Sequence, residues 1–256
     1  MERVEYDRLA AHDRVMWWFR GLHAVILGAL SRAARPGIDA LGIDAPLLDA
    51  GCGAGGLLAA LAGALPAADP LGLELNCGAA AQARRASGCP VCVGSVNALP
   101  FATDCLGAIV SADVLCHRGV DETAALGHFH RCLKPGGTLV LNLPAYRWLL
   151  SDHDRAVDNV RRYTAAGLGA LLKAAGFVRV RTSYWNTVLF PLMVLRRKLW
   201  RRRGKTPVSD VALLPAPIEA LFRAIATGEA RLLRTGIRLP FGGSVLATAM
   251  KPAGGA

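Results

Sequence analysis

The run Asp49-Ala50-Gly51-Cys52-Gly53-Ala54-Gly55-Gly56 places four glycines in six positions, directly after the short apolar segment Pro46–Ala50. Glycine lets a backbone turn tightly and lets a ligand approach with no Cβ in the way. Between an apolar run and the Ala/Leu-rich stretch Gly55–Ala64, such a loop predicts a strand, a turn and a helix. In an open α/β sheet, the carboxyl end of a strand of this kind is a ligand-binding edge. Glu74 lies nineteen positions beyond Gly55, at the end of a second predicted strand over Pro70–Leu75. A carboxylate there can accept hydrogen bonds from both hydroxyls of a ribose. Gly51, Gly53 and Gly56 also satisfy G-x-G-x-x-G, so taken alone they leave a dinucleotide, or a turn with no ligand at all, open.

Beyond the loop, strand and helix signals alternate. Strands are predicted over Pro90–Val93, Leu106–Ser111, Gly137–Leu143 and Phe177–Tyr184, and helices over Gly78–Ala86, Glu122–Cys132 and Ala165–Ala175. Lys134-Pro135-Gly136-Gly137 reads as a turn before the fifth strand, and Gly176 as a helix stop. Alternation of this kind argues for a mostly parallel sheet with helices on both faces. The 256 residues suffice for one such domain. Its expected parts are an N-terminal helical region (1–43), a core (45–184), a basic, apolar helical insertion (185–240), and a final strand and tail (241–256).

Several stretches, in this order, resemble the landmarks of class I S-adenosylmethionine (SAM)-dependent methyltransferases. Leu47-Leu48-Asp49-Ala50-Gly51-Cys52-Gly53-Ala54-Gly55 looks like the family's first motif. Leu99-Pro100-Phe101, Asp113-Val114-Leu115-Cys116-His117 and Arg131-Cys132-Leu133-Lys134-Pro135-Gly136-Gly137 look like its later ones. Leu239–Ser244 and the strand after it fit its final hairpin. The resemblance implies a seven-stranded Rossmann-like sheet with the last strand antiparallel, and SAM as cofactor. It places Asp49 and the Gly51, Cys52, Gly53 and Gly55 backbone near the methionine part, Glu74 at the ribose, and Leu75 and Asn76 near the adenine. Ser95 stands where the family commonly has an acidic residue, and Ser95 or Asn97 would serve as a neutral acceptor for the adenine amino group. Asp113 joins the cofactor side after the fourth strand.

A sulfonium methyl is already activated, so the remaining work is to position an acceptor and, for a hydroxyl, to remove its proton. His117 is one candidate base. Similar ubiquinone-type O-methyltransferases carry two carboxylates and a His here, able to hold a divalent metal; this chain reads Asp113, Cys116 and His117, one carboxylate short, and no metal is expected. After the fifth strand, His153 is a second candidate base with Asp154 tuning it. Tyr146, Arg161, Arg162 and Tyr163 are candidate acceptor-binding groups, the arginines for an anionic acceptor. A structural alternative gives Thr164 a helix cap and the arginines ion pairs. His12, His23, His128 and His130 look ordinary.

The formal charge is +11, and Arg196–Lys205 holds seven Lys and Arg beside the apolar stretch Trp185–Leu195. That pairing suits an anionic membrane face, with the Trp17-Trp18-Phe19 helix as an accessory, or a lid over the pocket. Nucleic acid fits less well, because stacking aromatics are not interleaved with the basic residues. No stretch reaches the roughly 20 apolar residues of a membrane span, and the polar start is unlike a secretory signal. The seven cysteines, Cys89-Pro90-Val91-Cys92 included, read as small apolar thiols in a reducing compartment. The expectation is a cytoplasmic enzyme, on occasion at the membrane surface, that methylates a small-molecule or lipid-linked acceptor on oxygen. An RNA methyltransferase and a non-catalytic binding module on the same fold are the alternatives.

Overall fold

The computed structural model describes Asp13 and residues 15–33, 45–151, 154–155, 157–201 and 214–253, with backbone alone over 196–201. Strands β1 (Leu47–Ala50), β2 (Leu71–Glu74), β3 (Val91–Val93), β4 (Leu106–Ala112), β5 (Leu133–Pro144), β6 (Val178–Trp185) and β7 (Ser244–Met250) form one sheet in the order β3-β2-β1-β4-β5-β7-β6. Strands β1 to β5 pair in parallel; β7 runs antiparallel to both β5 and β6. The expected seven-stranded Rossmann-like sheet, with its last strand reversed, is therefore the observed one.

Alternation along each central strand divides the core in two. Leu48, Ile109, Leu139 and Leu141 point to one face, where Phe129 of α4 (Glu122–Cys132) and Leu168 and Leu172 of α5 (Ala165–Ala174) cover them. Leu47, Ala108, Val110 and Val140 point to the other, under α1 (Trp17–Ala33), α2 (Gly56–Ala64) and α7 (Ala216–Arg234). Helix α3 (Cys77–Ser87) follows β2, with Asn76 accepting from the Ala79 N–H at its N-cap. Thr164 caps α5 by accepting from Gly167 N–H, which is the structural alternative for that position.

One boundary differs from expectation. Strand β5 begins at Leu133, directly after α4, so the expected Lys134–Gly137 turn is part of the strand. Gly136, at φ +79°, and Gly137 let the backbone kink there, while Gly136 N–H donates to the Lys251 carbonyl and Lys251 N–H donates to the Gly137 carbonyl.

Between β6 and β7 lie α6 (Phe190–Arg201) and α7. Helix α7 buries Ala226, Glu229, Ala230 and Leu233, one stripe at helical spacing, against α1. The crossing is close: a Cβ on Gly21 would sit 2.8 Å from Ala226 Cβ. Glu219 of α7 accepts from the Trp17 N–H that opens α1, and Glu229 accepts from the Thr187 and Val188 N–H groups that lead into α6. Both helices therefore brace the sheet's carboxyl-end rim. Gly21→Val should force α1 off α7 and lower stability by about 1–3 kcal/mol, read as a fall in denaturant midpoint at unchanged slope.

Candidate active site

The sheet order reverses beside β1, whose neighbours are β2 and β4, and crevices form at such switch points. A cavity of about 600 Å³ opens there, reaching from the glycine loop to α1, α6 and the start of α7.

One end is acidic. Gly51 (φ +88°) lies against Val114, so closely that any Cβ would collide, whereas a Cβ on Gly53 (φ +54°) would meet nothing within 4 Å. The loop backbone is thereby left open to the cavity. Glu74 accepts from Gly53 N–H and Asn76 N–H, each at 3.0 Å, which ties the ends of β1 and β2 together. Asp13 Oδ2 accepts at 2.7 Å from Gly56 N–H, at the start of α2, and its Oδ1 lies 3.6 Å from His23 Nε2. Asp49 is 1% exposed and its Oδ2 has no hydrogen-bond partner. Burial, then the charges of Asp13 and Glu74, push its pKa up to about 8. Burial also raises the Cys52 thiol. A buried, unpaired carboxyl oxygen beside two further carboxylates calls for a cation. SAM carries an ammonium and a sulfonium, and a cavity end lined by carboxylates and an open glycine loop fits such a group.

The same cavity is lined by Asp113, half-buried, at φ +55° just past β4. Asn142 Nδ2 donates to Asp113 Oδ1 at 3.1 Å, and Asn142 Oδ1 accepts from Trp185 Nε1 at 2.6 Å. Because an indole N–H can only donate, the amide orientation is fixed. Trp185 is fully buried and stacks on Trp18 of α1 at 4.7 Å. Burial raises the Asp113 pKa to about 7, with Arg162 and the Asn142 bond opposing and Asp154 adding to the rise. Tyr146 and Asn186, just past β5 and β6, share positive φ with Asp113, at 58° each. Backbone outliers clustered at one rim are common at functional sites.

Asp154, expected to tune His153, is instead 1% exposed and clamped by Arg162 Nη2 at 2.7 and 3.0 Å, and it also accepts from Ser151. His153 lies outside the described residues. Arg162 is expected to fix an anionic acceptor; it lines the cavity, but this clamp and the Ala145 carbonyl hold its guanidinium. Arg161 lies off the cavity wall, bonded to the Leu115, His117 and Val120 carbonyls and paired with Glu122 at 3.2 Å. Tyr163 hydroxyl donates to Glu122 and meets the Leu115 carbonyl, and Tyr146 stacks on Tyr184; neither lines the cavity. His117 does, with its pKa lowered by burial against hydrogen bonds to the backbone of Val157 and Asp158. Cys116 Sγ meets Asp113 O and Asn159 Oδ1, each at 3.1 Å.

Of the expected cofactor residues, Asp49, Gly51, Cys52, Gly53, Glu74, Leu75, Ser95 and Asp113 meet at the cavity. Gly55, Asn76 and Asn97 support it from behind: Gly55 (φ +91°) packs on Ala83, Asn76 caps α3, and Asn97 bonds Gly119 O and Asp121 N–H. Sequence reasoning misses Asn142, Trp185 and Asp13. Asn142, polar between Leu141 and Leu143, is a readable signal; nothing local marks Asp13.

Residues 48–141 match the methyltransferase domain family model. The sheet topology, the glycine loop and the carboxylate ending β2 accompany that match, and residues 48–141 are similar to the methyltransferase domain of the class I, Rossmann-like, SAM-dependent type. Among curated proteins, an uncharacterised 37.1 kDa protein of a Streptomyces fradiae transposon is 33% identical over 158 residues, 59% of this chain, and the match spans 42% of its own length. Among solved structures, the methyltransferase of Haloferax volcanii in complex with the Trm112 methyltransferase activator superposes with TM-score 0.62 at 20% identity, covering 99% of both chains. Geranyl diphosphate C-methyltransferase from Streptomyces coelicolor gives 0.59 at 16%, covering 91% of this chain and 80% of its own. At such identities these structures share the fold alone.

Two outcomes follow from the buried charges. Arg162→Ala removes the guanidinium that clamps buried Asp154 and should cost about 3–5 kcal/mol of stability, measured by denaturant unfolding. Below about 7 and 8, folded Asp113 and Asp49 hold protons that unfolded carboxylates, near 3.8, release. The folded chain binds more protons in that window, so ligand-free stability should fall as pH rises through it and level off above. Thermal melts from pH 4.5 to 9 should show this slope, flatter in Asp49→Asn.

Proposed function

We propose that the protein transfers the methyl group of SAM to an oxygen of a small or lipid-linked acceptor bearing an apolar body. The observation that carries this reading is a single cavity lined both by carboxylates with an open glycine loop and by Met16, Trp17, Leu22, Leu189, Met193 and Phe222. Its volume of about 600 Å³ falls in the range of pockets that enclose drug-sized ligands.

When bound, SAM supplies an electrophilic methyl group on sulfur. The chain's own residues do the rest. Asp49 and the loop from Gly51 to Gly53 hold the charged end, Glu74 orients the ribose, and exposed Leu75 offers an apolar surface for the adenine. Asp113 takes the proton from the acceptor hydroxyl on its carboxylate, with Asn142 fixing the direction in which that carboxylate points. His117, neutral and held by backbone, lines the same space and orients the acceptor. The aromatic and aliphatic wall excludes water, so the methyl meets the acceptor rather than solvent. A pKa near 7 suits Asp113 to this role, since the group is ionised often enough to accept a proton and basic enough to attract one.

The test follows S-adenosylhomocysteine formation across a panel of hydroxylated acceptors with apolar bodies. In Asp113→Asn, kcat should fall by about 10²–10⁴-fold while SAM affinity changes little. In the parent enzyme kcat/KM should rise with pH to a plateau above about 7. Turnover unchanged in Asp113→Asn would remove that residue from the role.

A further inference from the structure

The outer surface of α6 differs from the rest of the rim. Trp148, Val188, Leu192, Leu195 and Phe241 keep 43–61% of their surface exposed. Trp148 and Phe241 come from separate stretches, after β5 and before β7, and meet at the start of α6. Phe190 joins them, with ring centroids 6.2 Å from Trp148 and 5.9 Å from Phe241, and Thr187 Oγ1 donates to the Phe241 carbonyl at 2.5 Å. Large exposed apolar patches mark interaction surfaces.

The patch lies beside the cavity. Leu189 and Met193, four residues apart, line the cavity from one face of α6; Leu192 and Leu195 hold the outward face. Leu192 is half-exposed and part of the cavity wall. Leu189, the residue before Phe190, and Gly243, two residues past Phe241, also line the cavity, so the patch adjoins it.

The same helix runs on into basic sequence. Arg196–Lys205 carries seven Lys and Arg in a chain of net charge +11, and exposed Arg147 precedes Trp148. An apolar, aromatic patch with exposed Arg147 beside it, in a chain that carries a basic run after α6's apolar turns in sequence, matches the two layers of an anionic bilayer, hydrocarbon below and phosphate above. The sequence assigns membrane contact to the basic insertion with help from Trp17 and Trp18. The structure takes those two tryptophans out of it, since Trp17 packs on Phe222, Trp18 stacks on Trp185, and both line the cavity. Among the described residues, no helix is long and apolar enough to cross a membrane, so contact would be at the surface.

We infer that the patch of Trp148, Phe190 and Phe241 docks on an anionic bilayer, and that a bilayer-resident acceptor enters the methyl-transfer cavity past Leu192. The second half rests on the proposed reading of the cavity; the docking does not, and it is measured without turnover.

The experiment is co-sedimentation of the full chain with phosphatidylcholine vesicles, with and without 30% phosphatidylglycerol. Tryptophan quenching by brominated phosphatidylcholine in the anionic vesicles is followed in parallel. Binding should be at least tenfold tighter to the anionic vesicles. The Trp148→Ser/Phe241→Ser variant should lose at least tenfold while keeping its thermal midpoint and SAM affinity, and Trp148→Phe should lose most of the quenching. Failure of the parent chain to sediment with anionic vesicles would overturn the inference, as would full binding by the double variant. So would displacement from vesicles by equimolar single-stranded RNA. Vesicle binding by a chain that does not bind SAM would leave the docking standing and sink the proposed function, so the two failures are separable.

Discussion

Asn142 sits in the middle of the sheet with both ends of its amide committed, the oxygen to Trp185 and the nitrogen to Asp113. A buried amide left unpaired costs about 1–3 kcal/mol, so these two bonds lock the end of β4 to the end of β6. Trp185 in turn stacks on Trp18. The helical layer of α1 and α7 is thereby keyed to the Asp113 carboxylate in the cavity wall. A shift in that layer would reach Asp113 through one indole and one amide.

The acidic end of the cavity depends on a different balance. Glu74 uses its two oxygens to fix the glycine loop and the start of α3, which leaves Asp49 and Asp13 close enough to repel. The ligand-free protein answers that repulsion by holding a proton on Asp49 up to about pH 8. Site and stability are coupled for this reason, and proton binding is the variable through which the coupling is felt.

Much of this is legible in the sequence. Short apolar runs, together with helix signals between them, identify every strand, and the glycine loop with Glu74 marks the cofactor end. Local patterning does not reveal which polar residues the fold spends on itself. Arg161, Arg162, Tyr163 and Asp154 look like a reactive cluster in the sequence; in the structure most of their bonding goes to carbonyls and to each other. Asp13 and Trp18 join the site through long-range packing of a helix that no local signal directs there. The start of β5 escapes a local reading because a Lys-Pro-Gly-Gly run looks like a turn unless its partner strands are known.

If the carboxylates at the ends of β1 and β2 form the SAM site, calorimetric titration of SAM into the parent protein and into Glu74→Ala must separate the two. Charge-assisted hydrogen bonds at about 1.5–3 kcal/mol each predict binding near micromolar that weakens by about tenfold or more in the variant. No binding by the parent chain, or equal affinity in Glu74→Ala, would contradict that assignment.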